Sequence, residues 1–256
     1  MQGLVWDFKR RPPHILPLPG NLVWTTGTPL NIAWAFGYAL TIGQTIWLPD
    51  GCEIQKFSQS TGQWTTEPTP FTYSEQMFCL AANNRIYAIS GFQSCWSCTS
   101  YVEEYDPSTG ALVAKSPIPV ACIEAGVAAT PDGKIYVCGG CIPVSGGSSG
   151  PAYLDILQVY DTQTDTWLLK KSMSIQRANM GTVAGSDGKI YVMGGMIKDG
   201  DVIDVLEVYE PSTDTWRVRS PMPRKKAHLA AILTGGNTIL YRRVHVGDEA
   251  GRVVVG

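Results

Sequence analysis

A block of about fifty residues recurs along this chain, and a repeat of that length limits the possible folds more than any other feature. Residues 134–167 open on KIYVCGG and, after a spacer, end on LQVYDTQTDTW; residues 189–216 open on KIYVMGG and end on LEVYEPSTDTW. A third copy covers 85–112 (RIYAISG, then VEEYDPSTGAL), and a fourth, weaker one covers 45–64 (TIWLPDG, then EIQKFSQSTGQW). The tryptophan column falls at Trp64, Leu112, Trp167 and Trp216, in steps of 48, 55 and 49 residues. Each unit begins with an apolar run of small residues, then a turn and a β-rich run. A variable spacer, an alternating strand, a second turn and a proline-containing exit follow. That order predicts four short strands joined by turn chemistry, with no helical period between them. Four-stranded units at this spacing stack as the blades of a propeller.

The pattern resembles the kelch repeat family. Gly139-Gly140 and Gly194-Gly195 match its double glycine, and Tyr160 with Trp167, and Tyr209 with Trp216, match its spaced aromatic pair. Met173 with Arg177, and Met222-Pro223 with Arg224, match the segment that opens the next unit. The match is strongest over residues 85–235. It departs from the family at Ser90, Leu112 and Pro49-Asp50-Gly51. The resemblance implies an all-β, kelch-type β-propeller of four-stranded antiparallel blades. The glycines are expected where strands crowd, and the Tyr and Trp rings between blades.

The expected blade units are residues 15–68, 69–119, 120–173, 174–223, and 224–256 completed by 1–13, in one domain. The closing strand is read from Val5-Trp6-Asp7, which parallels Thr215-Trp216-Arg217, each followed by a proline exit. Residues 229–234, 238–246 and 252–255 would supply the other three strands of that blade. Pairing the two chain ends in this way removes an exposed sheet edge. Kelch rings usually have six or seven blades, so an incomplete six-bladed ring is the alternative, and a truncated piece of a longer kelch protein is another.

Charge and cysteine content narrow the function classes. The formal charge is -2, which argues against a dedicated nucleic-acid binder. Residues 1–169 carry 7 basic and 13 acidic side chains, whereas residues 170–256 carry 13 and 9, so the second part is basic. Seven cysteines and no evident signal peptide point to a reducing, cytoplasmic setting. Residues 15–49 lack charge, but the prolines, glycines and polar residues among them favour buried strands over a membrane helix.

Candidate chemistry is sparse. Cys95-Trp-Ser-Cys98 and Cys138-Gly-Gly-Cys141 offer either a zinc site, a redox pair or unlinked thiols. The repeat alignment gives Cys138 the core position of Met193, which leaves unlinked thiols as the expectation. His14, His228 and His245 have no ligand spacing, residues 146–150 form a flexible loop, and Glu103-Glu104 are expected in solvent. No catalytic residue, metal or cofactor is expected. Some kelch-type rings are copper oxidases or sialic-acid mutarotases, so a sugar-directed isomerase or oxidase is the enzymatic alternative.

The expected function is a protein–protein interaction scaffold. The resemblance implies a substrate-recognition role beside other subunits, ubiquitin-ligase adaptor-like or cytoskeleton-binding. Propeller blades place the second-to-third-strand connectors and the links between blades on one face. Here those connectors are residues 92–100, 141–153, 196–202 and 242–249, and they vary most between units. Phe92, Trp96 and Tyr153 are candidate aromatic anchors. Lys170, Lys171, Arg177, Arg224, Lys225, Lys226, Arg242 and Arg243 form a candidate basic set that would suit an acidic protein partner. No nucleic-acid or membrane partner is expected.

Overall fold

The computed structural model describes residues 38–49, 53–72, 77–92, 97–144, 150–234, 238–243 and 251–254. These fold into successive antiparallel meanders. The first sheet orders β1 (Leu40–Ile42), β2 (Thr45–Pro49), β3 (Glu53–Ser58) and β4 (Gln63–Pro68). The second orders β5 (Phe78–Ala82), β6 (Arg85–Ile89), β7 (Val102–Tyr105) and β8 (Leu112–Ala114). The third begins with β9 (Gly126–Ala129) and β10 (Lys134–Cys138), inserts a two-stranded ribbon of β11 (Cys141–Ile142) and β12 (Ala152–Tyr153), and ends with β13 (Leu157–Asp161) and β14 (Thr166–Lys170). The fourth orders β15 (Gly181–Ala184), β16 (Ile190–Met193), β17 (Leu206–Glu210) and β18 (Thr215–Arg219). The fifth holds β19 (Leu229–Thr234), β20 (Thr238–Arg243) and β21 (Gly251–Val254). The proposed closing strand, residues 1–13, lies outside the described residues. The only helical turn among them is a 3-10 turn at Lys198–Gly200.

The second strand of each unit reads as a continuous apolar run because both of its faces are covered. In β10, Ile135 and Val137 join Phe78, Tyr87 and Ile89 of the second sheet, while Tyr136 and Cys138 join Ile190, Val192 and Tyr209 of the fourth. The period of two thus sends alternate side chains into two different inter-sheet cores. The same division recurs at β16, whose Ile190 and Val192 face the third sheet while Tyr191 and Met193 face the fifth. The first strands of successive sheets lie side by side, β1 against β5, β5 against β9, β9 against β15, and β15 against β19. Sheets therefore stack radially as blades around their first strands.

The aromatic columns hold these blades together by polar contacts as well as by area. Tyr160 donates its hydroxyl to Asp165 at 2.6 Å, and Asp165 also accepts the backbone amide of Ser116, in the preceding link, at 2.9 Å. Trp167 then donates its indole N–H to the Ser116 carbonyl at 2.9 Å. One blade later the set repeats: Tyr209 donates to Asp214 at 2.8 Å, the Lys171 amide donates to Asp214 at 3.1 Å, and Trp216 donates to the Lys171 carbonyl at 2.6 Å. Asp165 and Asp214 adopt left-handed backbone angles, φ 54 and 49, at turn positions that Gly62 and Gly110 fill in the first two units. The aspartates trade backbone ease for a clamp on the neighbouring blade.

The double glycine has an equally local cause. Gly139 has φ +57, and a Cβ there would lie 2.5 Å from the carbonyl oxygen of Arg177 in the next link. Ser90 holds the same place one unit earlier, at φ 57. Its hydroxyl lies 2.7 Å from the Cys122 carbonyl and accepts the Cys122 amide at 3.0 Å. The serine side chain thus compensates for the left-handed backbone with bonds to the equivalent link one blade earlier.

A buried polar column completes the scaffold. Gln55, Glu103, Gln158 and Glu207 occupy equivalent positions on β3, β7, β13 and β17, and all are buried. Glu103 accepts the Thr72 amide at 2.9 Å; Gln158 accepts the Val120 amide at 2.8 Å and donates to its carbonyl at 2.9 Å; Glu207 accepts the Ser174 amide at 2.9 Å. The expectation that Glu103 is solvated is therefore corrected: its carboxylate anchors the link entering its own blade. The cause is that links, unlike strands, have unpaired backbone groups that must be satisfied when buried.

Candidate functional site

The links between blades and the second-to-third-strand connectors meet on one face. Ile123, in the link before β9, bridges to Cys141 just after β10, and Ala178 bridges to Met196 in the same way one blade on. The Gly140 amide donates to the Arg177 carbonyl at 2.9 Å, and the Gly195 amide donates to the Lys226 carbonyl at 2.8 Å. Each connector is thus pinned to two links, which makes this a rigid platform for variable side chains.

Two of the aromatic anchors lie together on it. Phe92 bridges to Cys98 across the second sheet's connector, and Tyr153 pairs with Cys141 in the β11–β12 ribbon of the third. Both rings are half-buried against one cluster of Ile123, Cys141 and Ala178, with Cys98 beside them. Trp96 lies outside the described residues. The cluster draws on the connectors of two blades and the links entering two, so only the packing of blade on blade brings it together.

The basic set is not gathered in the same way. Arg177 is the correction: it is wholly buried, with Nη2 2.6 Å from Glu207 Oε2 and Nη1 donating to the carbonyls of Gly194 at 3.0 Å and Val205 at 3.1 Å. Burial lowers its pKa and the Glu207 carboxylate opposes that fall. A guanidinium so enclosed ties the double glycine to the third strand and can touch no partner. Lys170 ends β14, and Lys171 starts the following link at the outer rim, where the turn of the fourth sheet holds its backbone. Arg224 and Lys225 are exposed on the link before β19, and Lys226 is half-buried with its ammonium 5.9 Å from the Tyr241 ring centre. Arg242 and Arg243 are strand residues at the end of β20, opposite Ala230 and Leu229, and not part of a connector. Arg224 and Lys225 therefore remain as the cationic edge of the loop face.

The thiols divide by the cluster they enter. Cys138 is fully buried in the core between the third and fourth sheets, and burial pushes its pKa up to about 12. Cys141 points the other way, into the loop-face cluster, with its sulfur 3.5 Å from Glu124 Oε2. Burial and that carboxylate both raise its pKa. Burial likewise raises Cys98. Thiols held in the protonated form are poor nucleophiles. Among the described residues no three His, Cys, Asp or Glu side chains converge as metal ligands, and Cys95 lies outside them.

Sequence reasoning missed a polar pair at the inner end of this face. Glu124, Asn179 and His228 are equivalent residues just before the first strands of three successive blades, all left-handed at φ 57, 56 and 53. Asn179 donates its side-chain amide to Glu124 Oε2 at 2.7 Å, and its backbone amide donates to the Glu124 carbonyl at 2.8 Å. Aligning the repeats by their first strands would have put all three in one column of non-glycine residues at a strained position. The pair presents an oriented carboxylate beside the apolar seat of Phe92 and Tyr153.

Comparison with known proteins agrees with this architecture. The family model of the Kelch motif matches residues 126–174 and 177–223. Similar stretches occur in beta-scruin of Limulus polyphemus, 27% identical over 53% of this chain and 15% of that protein. Kelch-like protein 35 of Mus musculus is 28% identical over 57% of this chain and 24% of that protein. Kelch-like protein terF of Aspergillus terreus is 30% identical over 58% of this chain and 34% of that protein. The chain thus spans no more than about a third of the length of these relatives. The solved structure of YjhT superimposes with a TM-score of 0.71 at 17% identity, covering 84% of this chain and 74% of that one, a likeness of fold. No helix among the described residues is long and apolar enough to cross a membrane.

Proposed function

From its membership of the kelch-repeat family and its propeller fold, we propose that this chain is a non-enzymatic interaction module that holds a protein partner on its loop face. The observation that carries this reading is the cluster on which Phe92 and Tyr153 lie half-buried against Ile123, Cys141 and Ala178. Aromatic rings fixed on an apolar floor lose little freedom on binding and bury much area when a partner covers them. The Glu124 carboxylate held by Asn179 stands beside the cluster, and the exposed Arg224 and Lys225 lie on the link before β19. An acidic stretch on the partner fits that cationic edge. The reading extends to a recognition subunit in a cytoplasmic assembly, adaptor-like or cytoskeletal.

The experiment is a comparison of captures. The chain and its Phe92→Ala/Tyr153→Ala variant are immobilised, and retained proteins are identified from the source cell extract by mass spectrometry. A partner retained by the first and lost by the second supports the reading. Identical retention by the two would remove the aromatic seat from it. Turnover of a free sugar by the purified protein would favour the isomerase or oxidase alternative instead.

A further inference from the structure

The outer rim of the fourth blade carries a second surface, remote in chemistry from the loop face. β18 is the outer strand of its sheet and, among the described residues, pairs only with β17. Its side chains alternate. Trp216 faces the third blade and is held by Lys171, whereas Arg217 and Arg219 stand opposite Val208 and Leu206 on the other face. Both arginines are exposed, as is Val218 at 63%. Neither arginine has an ion-pair partner among the described residues. They line a shallow groove of about 100 Å³ together with Lys189, Val208 and Glu210. Lys189 is already engaged, 2.7 Å from Asp187 and 3.6 Å from Glu210, so the groove keeps a positive excess on the two arginines.

The equivalent positions elsewhere differ. Arg217 and Arg219 correspond to Leu168 and Lys170 on β14, whose groove of about 130 Å³ is lined also by Tyr209 and Pro211 of the next blade and carries one cation of the pair instead of two. The outer strand β8 reads Leu-Val-Ala, and on β4 the one charged residue, Glu67, is bonded to Lys56. A five-residue edge with two arginines at alternate positions, neither in an ion pair among the described residues, is found on β18 among these four.

We propose that β18 is a docking edge for an acidic extended segment of a partner protein, which adds to the fourth blade as a further strand. Backbone groups on the free side of an edge strand bind an added strand through main-chain hydrogen bonds, and alternate side chains give selectivity. Residues two apart on such a strand are separated by about 6.8 Å, so carboxylates at alternate positions would lie against Arg217 and Arg219 together. Arginine forks suit carboxylates bidentately. This proposal does not depend on the loop-face reading, because it uses none of its residues.

The probe is a fluorescein-labelled peptide of alternating Glu and Thr, seven residues long by design (about one strand), titrated with the full chain and followed by anisotropy. Amide hydrogen exchange of 215–219 is measured in parallel. Expected are binding that weakens with salt, slowed exchange along β18, and a loss of about tenfold or more in Arg217→Glu/Arg219→Glu. If the double reversal does not fold, Arg217→Gln/Arg219→Gln serves, with a smaller loss expected. A peptide with the same residues in two blocks, four Glu then three Thr, should bind more weakly. Equal binding of the two peptides, displacement by tripolyphosphate without any change in exchange, indifference to both arginine variants, or no binding would each overturn the proposal. The arginines would then be charges that keep other strands off the edge.

Discussion

Arg177 Nη2 lies 2.6 Å from Glu207 Oε2, and both side chains are removed from solvent. The pair joins the link entering the fourth blade to that blade's third strand. Removing one partner leaves the other charged and buried. Arg177→Ala is therefore expected to destabilise the protein by about 3–5 kcal/mol. In a domain of this size, roughly 2–4 °C of melting temperature is lost per kcal/mol. Arg177→Met combined with Glu207→Met should recover most of that loss in thermal denaturation. A double variant no more stable than Arg177→Ala would show that the guanidinium's bonds to Gly194 and Val205, and not the charge pairing, carry the effect.

The aspartate clamps make the inter-blade contacts pH-dependent. The Lys171 amide and the Tyr209 hydroxyl, both donating to Asp214, hold its pKa below the ordinary 3.8. A carboxylate whose folded pKa is depressed stabilises the fold fully above its unfolded value and loses that contribution as pH falls through the folded one. The stability of the parent in chemical denaturation should thus fall on acidification below about pH 4, with Asp214→Asn showing a shallower slope there. An unchanged slope would remove the clamp from the pH response.

Asp165 faces the same donors between the second and third blades. Burial opposes its ionisation, but the bonds from Tyr160 and Ser116 outweigh this and keep its pKa low. Asp165→Ala should cost about 1–3 kcal/mol at neutral pH, the range for leaving such donors unmatched. Asp165→Gly should cost less, because glycine relieves the left-handed backbone at φ 54. The order of the two melting temperatures checks this.

Glycines at similar backbone angles should respond very differently. Gly43 and Gly139 have φ +58 and +57, but a Cβ at Gly43 meets nothing within 4 Å, whereas one at Gly139 lies 2.5 Å from the Arg177 carbonyl. Gly43→Ala should cost on the order of 1 kcal/mol, the backbone strain alone. Gly139→Ala should cost roughly 2 kcal/mol more, since a rigid link must move. Equal costs would place the strain in the turn and not in the packing.

Thiol reactivity gives a further check. Cys138 and Cys122, both with pKa values pushed up to about 12 by burial, should resist a maleimide in the folded state at neutral pH and react on unfolding. Cys98, only half-buried, should be labelled first among the described cysteines. Fast labelling of Cys138 would contradict its place in the core between the third and fourth sheets.

The repeat by itself determined the all-β units, their four-strand order and the alternation that sends Ile135 and Tyr136 to opposite neighbours. These depend on period and turn chemistry, which are local in the chain. It also aligned Ser90 with Gly139, and Gly110 with Asp165, although the meaning of those exchanges was not legible there. Only the tertiary structure decided that Arg177 is a buried strut while Lys225 is exposed, that Glu103 anchors a link, and that Phe92 shares a floor with Tyr153. A basic or acidic letter carries no burial until neighbouring blades close over it. The residues that meet at each of those places lie 30 or more positions apart in the chain and are joined only by blade packing.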